Sequence, residues 1–269
     1  LKIGTQLPKN LPAKPIIAIP TTSGTGSEVT PWGTIWGEDT IKYSVKNVAL
    51  YPSHAIMDPA LTISMPAELT VATGLDALSH AMESVWNLRH SSLTDAMASQ
   101  AIRLLKDNLI NVVVNPDALE ARQAVQTASM LAGLTMGTTQ TALAHSISYP
   151  FTSQFLVPHG LACSFALAEI ARYNMEGDPQ RLLPIADGLG CALESVPEEL
   201  ESWFDQLDIA SYLLGYVSPK ATDELGDKVI TRARAANNIR KVEAQEALKL
   251  ARRALDRLAH VASRKKRAQ

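Results

Sequence analysis

The sequence predicts a short α/β segment, residues 1–65, followed by a large all-α domain over residues 66–269. Three observations carry this. Before Pro66 the apolar runs are short and closed by Pro or Gly, as strands require. From Pro66 onward Ala, Leu, Met, Glu and Gln dominate at three-to-four-residue apolar spacing, the period of an amphipathic helix. An apolar content of 46% in 269 residues is enough to bury a substantial core between those helices.

In order, Pro15-Ile16-Ile17-Ala18-Ile19-Pro20 reads as a buried strand running into a Gly/Thr/Ser loop. Residues 34–36, 41–45 and 55–57 read as further strands, separated by turn-forming Gly37, Pro52 and Pro59. Helices are expected over 67–86, 92–113, 119–143, 160–173, 179–189, 196–207, 223–232 and 242–264. Ser92 and Pro116-Asp117 stand where helix starts are needed. Gly74, Gly133 and Gly137 fall inside helical patterns at a cost in propensity, which marks close packing or a backbone approached by a ligand.

Twenty-five basic against 27 acidic residues give a net charge of -2, so no overall field draws in nucleic acid or an acidic membrane. The basic run at 264–267 lacks interleaved aromatics and reads as a solvated tail. Cys163 and Cys191 sit in apolar runs, form no CxxC pair and suggest no disulfide framework. With no apolar run of membrane-spanning length and no leader-like start, a cytoplasmic protein is expected.

Asp76 and His80 are four positions apart in Gly74-Leu75-Asp76-Ala77-Leu78-Ser79-His80, so on a helix they project from one face and can clamp one cation. His145 and His159 lie among small and apolar neighbours. Taken singly, either also suits a core histidine satisfied by a hydrogen bond. Together the four make one carboxylate and three imidazoles, a set suited to Fe(II), Zn(II), Co(II) or Ni(II) rather than Mg(II) or Ca(II). With an open position, such a centre is a Lewis acid toward an alcohol oxygen. His54, His90 and His260 read as structural or exposed.

The loop Thr21-Thr22-Ser23-Gly24-Thr25-Gly26-Ser27-Glu28 follows a predicted strand, and its small residues let backbone amides approach a phosphate or ribose. It matches neither the Walker pattern nor the full dinucleotide fingerprint, and alone it equally suits a tight turn.

The segment from Pro20 through Thr30, the run Gly74-Leu75-Asp76-Ala77-Leu78-Ser79-His80-Ala81-Met82-Glu83, and Pro158-His159-Gly160 together resemble the iron-containing (group III) alcohol dehydrogenases, in the family's order. The resemblance implies a dehydroquinate synthase-like fold, with residues 1–65 as the C-terminal part of a nucleotide-binding domain and 66–269 as a helical metal-binding catalytic domain. It implies Fe(2+), or Zn(2+), on Asp76, His80, His145 and His159. It places NAD or NADP against Thr21, Thr22, Ser23 and Gly24, with Lys42 and Thr62 as further cofactor-lining positions; Lys42 also suits a solvated strand. A homodimer or larger homo-oligomer acting on a small alcohol or aldehyde follows. The texture of Thr30-Pro31-Trp32 and Lys42-Tyr43-Ser44 points to the phosphonate-metabolism branch, with phosphonoacetaldehyde as substrate.

Two departures stand out. Tyr149 occupies the place of a second His that many members carry near the reacting carbon; it can donate a hydrogen bond or relay a proton, but a phenol is a poorer base than imidazole at neutral pH. The family's Gly-Gly-Gly-Ser pyrophosphate loop has no counterpart here, so a chain lacking the front of its nucleotide-binding domain is expected. That leaves a catalytically impaired, metal-binding helical module as the alternative. Within enzymes, a polyol dehydrogenase or dehydroquinate-synthase relative uses fewer histidines and favours zinc, and a metal-dependent hydrolase needs a carboxylate base, for which Glu83 is the nearby candidate.

Overall fold

The structure, a computed structural model, describes residues 13–36 and 42–268; the side chains of Trp36, Lys42, Tyr43 and Ala268 are outside that description. Two small sheets open the fold. Strand β1 (Ile17–Ala18) pairs in parallel with β4 (His54–Ala55), and β2 (Trp32–Trp36) pairs antiparallel with β3 (Lys42–Lys46), Trp32 opposite Lys46. The expected strand at 41–45 is thus Lys42–Lys46, residue 41 lying outside the described residues.

The helices follow as α1 (Ala67–Val85), α2 (Ser92–Val114), α3 (Leu119–Thr139), α4 (Leu143–Phe155), α5 (His159–Ser164) and α6 (Leu167–Met175). Then come α7 (Leu183–Leu189), α8 (Val196–Gln206), α9 (Ile209–Leu213), α10 (Ala221–Leu225), α11 (Arg232–Ala235) and α12 (Ala244–Ala268).

Helix α1 is the axis of the core. It packs against α2, α3 and α5, and from Thr70 to Val85 all but Thr73 are buried. A helix buried all round must find partners for its polar groups inside the protein. Ser79 and Ser84 donate to the Leu75 and Ala81 carbonyls of their own helix. Asp76, His80 and Glu83 have no such local solution, and they face the site described below.

Close approach explains the helical glycines. A Cβ on Gly133 of α3 would lie 2.7 Å from the Gly26 Cα, so the glycine-rich loop seats directly on that helix. Gly26 also holds φ +59, a conformation that favours glycine.

Four helix expectations and one cap need correction. The helix predicted over 119–143 stops at Thr139, because Gln140 turns to φ 68, ψ 172 and breaks the hydrogen-bond ladder. A separate helix, α4, then carries His145 and accommodates Pro150 within it. The spans 160–173, 179–189 and 223–232 are each broken, into α5 and α6, into a 3-10 turn and α7, and into α10, a 3-10 turn and α11. At the start of α2 the cap is Ser91 rather than Ser92, in a reciprocal capping box with Thr94.

Candidate metal centre and active site

Three elements converge on one point. Helix α1 supplies Asp76 and His80, α4 supplies His145, and the first turn of α5 supplies His159. The Asp76 Oδ1 lies 3.5 Å from His145 Nε2 and 3.8 Å from His80 Nε2. The His80 and His145 rings stack at 4.7 Å between centroids, and His159 meets His145 edge-on at 5.4 Å. The four expected donors are therefore brought together from positions as far apart as 76 and 159.

Gly160 makes this possible for His159. A Cβ there would fall 1.8 Å from the Ala72 carbonyl oxygen, so only glycine lets α5 approach α1 closely enough to present the imidazole to Asp76.

The residues fit a divalent metal. Asp76 Oδ1 and His145 Nε2, 3.5 Å apart, are both buried and lack hydrogen-bond partners, an arrangement costly in a protein interior and relieved by a cation. Burial opposes ionisation of Asp76, but the surrounding imidazoles outweigh it and hold the carboxyl far below the usual range. Burial pushes the His80 imidazole down to about 4, leaving its lone pairs available at neutral pH.

Two further residues join the centre in roles that sequence reasoning did not give them. Glu83 is fully buried on α1, and its carboxylate accepts the amides of Ala142, Ala144 and His145 at 3.0, 2.5 and 3.2 Å. It caps the start of α4 and also meets His145 Nδ1 at 2.7 Å, orienting the ring so that Nε2 faces Asp76. With both oxygens engaged, Glu83 is a positioning group and no base for water, which removes the feature a hydrolase would need. Its signal was present: Glu83 lies three positions after His80 on the same helix face.

The second is Cys163, one turn beyond His159 on α5, with Sγ at 3.6 and 3.7 Å from the two ring nitrogens. Asp76, His145, His159 and Cys163 can each offer a donor atom within 4.8 Å of the others. Burial opposes ionisation of the thiol, but His145 and His159 bring it down to about 7. His145 is correspondingly raised well above the ordinary imidazole value: burial opposes its charge, and Cys163 and Glu83 overcome that.

The donors open onto a cavity of about 430 Å³. Its wall includes Thr25 and Ser27 of the glycine-rich loop, Met136, Gln140, Tyr149 and Arg234. Tyr149 stacks on His159 at 6.2 Å with ring planes 5° apart. Thr21, Thr22, Ser23, Gly24 and Thr62 are not among the residues of this wall. Ser23 and Gly24 are buried, the latter against Thr73 of α1, while Thr21 is exposed and Thr22 half-buried. Thr62 is fully buried with its hydroxyl on the Pro59 carbonyl, and the Lys42 side chain is outside the described residues. His54 and His260 are exposed, and His90 meets Asp95 at 3.2 Å, all three away from the centre.

Comparison with known proteins agrees with this geometry. Residues 70–255 match the model of the Fe-containing alcohol dehydrogenase family, C-terminal, and residues 2–59 that of iron-containing alcohol dehydrogenase. A 1-propanol dehydrogenase of Salmonella typhimurium is 43% identical over 159 residues, 59% of this chain and 43% of that protein. A sulfoacetaldehyde reductase of Bilophila wadsworthia is 34% identical over 242 residues, 84% of this chain and 62% of that one. Among solved structures, 1,3-propanediol oxidoreductase superposes with a TM-score of 0.82 at 31% identity, covering 89% of this chain and 66% of its own. The sulfoacetaldehyde reductase from Bifidobacterium kashiwanohense in complex with NAD+ does so at 0.84 and 29%, covering 94% and 67%. The chain spans about half the length of the first curated relatives it matches, 43% and 46% of two of them. On the family match over most of its helical part and the agreement in fold, the chain belongs to the iron-containing alcohol dehydrogenase family.

Proposed function

We propose that the protein to which this chain belongs interconverts a small primary alcohol and its aldehyde with NAD or NADP, using one divalent metal held by Asp76, His80, His145 and His159. The observation that carries this reading is a single cavity with the donor cluster in its wall beside the hydroxyls of the glycine-rich loop. Bound there, Fe(2+) or Zn(2+) supplies Lewis acidity toward the substrate oxygen, and the nicotinamide supplies the redox chemistry.

The chain's own residues do the rest. Glu83 fixes the tautomer and tilt of His145. Tyr149, stacked on His159 in the cavity wall, is placed to hold or pass a proton at the substrate oxygen. Thr21, Thr22, Ser23 and Gly24, with Lys42 and Thr62 beyond them, are the proposed cofactor side, residues 1–65 serving the nucleotide and 66–269 the metal. Phosphonoacetaldehyde is the narrower substrate reading, and a cationic side chain in the cavity supports it. A cytoplasmic setting accords with two free cysteines; among the described residues no helix is long and apolar enough to cross a membrane. A homo-oligomer rests on the family resemblance.

The test is NAD(P)H binding and aldehyde-dependent NAD(P)H oxidation by the chain loaded anaerobically with Fe(II) or Zn(II). Oxidation that requires the metal and disappears in His159→Ala is expected. A metal-loaded chain that binds no NAD(P)H at millimolar concentration contradicts catalysis by this chain and favours the metal-binding module.

A further inference from the structure

Six arginines outside the cavity, Arg172, Arg181, Arg240, Arg252, Arg253 and Arg257, each pair with a carboxylate. Arg234 differs. It lines the cavity that holds the metal donors, and among the described residues no carboxylate lies within ion-pair distance of it. A half-buried guanidinium has five N–H donors and is costly to leave unpaired. Its one side-chain hydrogen bond among the described residues runs from Nη1 to Gln140 Oε1 at 3.3 Å, and its plane lies over the Trp32 ring at 5.2 Å.

The position is built rather than incidental. The Ser146 hydroxyl donates to the Thr231 carbonyl at 2.9 Å and accepts the Thr231 amide at 2.8 Å, fastening the start of α11 to α4 one residue from His145. Asn237 closes the other side, donating to the Thr141 carbonyl at 2.8 Å. Gln140 holds its side chain on Arg234 from a backbone at φ 68, ψ 172, a region that non-glycine residues rarely occupy and that is retained where the surroundings enforce it. The same wall carries the hydroxyls of Thr30, Thr34 and Ser44.

We propose that Arg234, with Thr30, Thr34 and Ser44, forms a subsite for the tetrahedral oxyanion head of the substrate, a phosphonate or sulfonate, while the aldehyde or alcohol end of the same short molecule lies at the metal donors. The inference rests on the dehydrogenase reading and narrows it to two-carbon aldehydes bearing an anionic head. A planar fork suits such oxygens, since two parallel N–H bonds can reach one head. In a cavity of about 430 Å³ the molecule must be short.

The test is calorimetric binding of 2-hydroxyethylphosphonate, 2-hydroxyethanesulfonate and 1-propanol to the zinc-loaded chain and to Arg234→Met and Arg234→Lys, with thermal melts to establish folding. Wild type is expected to favour at least one anionic alcohol over 1-propanol by about tenfold to a hundredfold, the scale of a charge-assisted hydrogen bond. The relative affinities of the two anions identify the head. Arg234→Met is expected to lose that ratio and Arg234→Lys to keep part of it.

A preference that persists in Arg234→Met, or equal binding of all three alcohols to wild type, overturns the subsite alone. Loss of NADH affinity in Arg234→Met with the anion preference intact assigns the arginine to the cofactor and overturns it too. A metal-loaded wild type that binds none of the three alcohols contradicts the dehydrogenase reading itself.

Discussion

The two halves of this chain bury different things. Among the described residues the buried hydrophobic side chains begin at Met65 and continue through α12, whereas Ile17, Ile19 and Ile56 of the first half are 61%, 50% and 49% exposed. What the first half buries is small or polar: Ser23, Gly24, Gly26, Glu28 and Thr30. The glycine-rich loop thus takes its shape from α1 and α3, on which it lies, while the helical half organises its own core and the donor cluster within it. The candidate metal donors accordingly all lie in the helical half, and the first half contributes walls to the cavity.

This contrast can be broken most severely from Glu83. Glu83→Ala leaves three amides at the start of α4 and the His145 ring without their acceptor, and breaking such a buried network costs about 3–5 kcal/mol. A lowered urea midpoint together with weakened metal affinity is expected; unchanged values of both would contradict the role given to this carboxylate.

Gly160→Ala comes next. The methyl group meets the Ala72 carbonyl, so α5 must retreat, at about 1–3 kcal/mol of overpacking and with His159 carried out of reach of Asp76. Stability and metal affinity should fall together.

A smaller effect is expected from pH. In the metal-free chain His145 binds a proton well above the ordinary imidazole range, and a metal must displace it. Metal affinity should therefore rise by about tenfold per pH unit through neutrality, the slope of one released proton. His80, lowered to about 4, adds a second proton to that slope only in acid. A pH-independent dissociation constant between pH 6 and about 8 would show that His145 is already neutral. The smallest effect belongs to the first half: Ile17→Ser, on an exposed strand position, should change stability by no more than about 0.5 kcal/mol.

Legibility followed sequence distance. Asp76 and His80 could be read as a pair because four positions on a helix place them on one face. His145 and His159 stood out as imidazoles among small apolar neighbours, but the convergence of His159 on Asp76 depends on Gly160, whose role is visible only where α5 meets α1. Glu83 and Cys163 lay at helical spacing from recognised donors and were read as a candidate base and a core thiol, since spacing alone does not say which buried group is already satisfied. Arg234 was out of reach altogether. It arrives at the cavity through the tie between Ser146 and Thr231, 85 positions apart, and no local pattern announces such a contact. The break after α3 was missed for a related reason: Gln140 is an ordinary helix former by propensity, and tertiary structure holds it at positive φ.

The most direct test of the account is metal content by elemental analysis of the chain after anaerobic loading with Fe(II) or Zn(II), beside Asp76→Ala. One metal per chain in wild type, with loss of the metal from a folded Asp76→Ala, is the predicted result. A folded wild type that retains no metal, or an Asp76→Ala variant that retains it undiminished, would contradict the claim that this cluster is a metal centre.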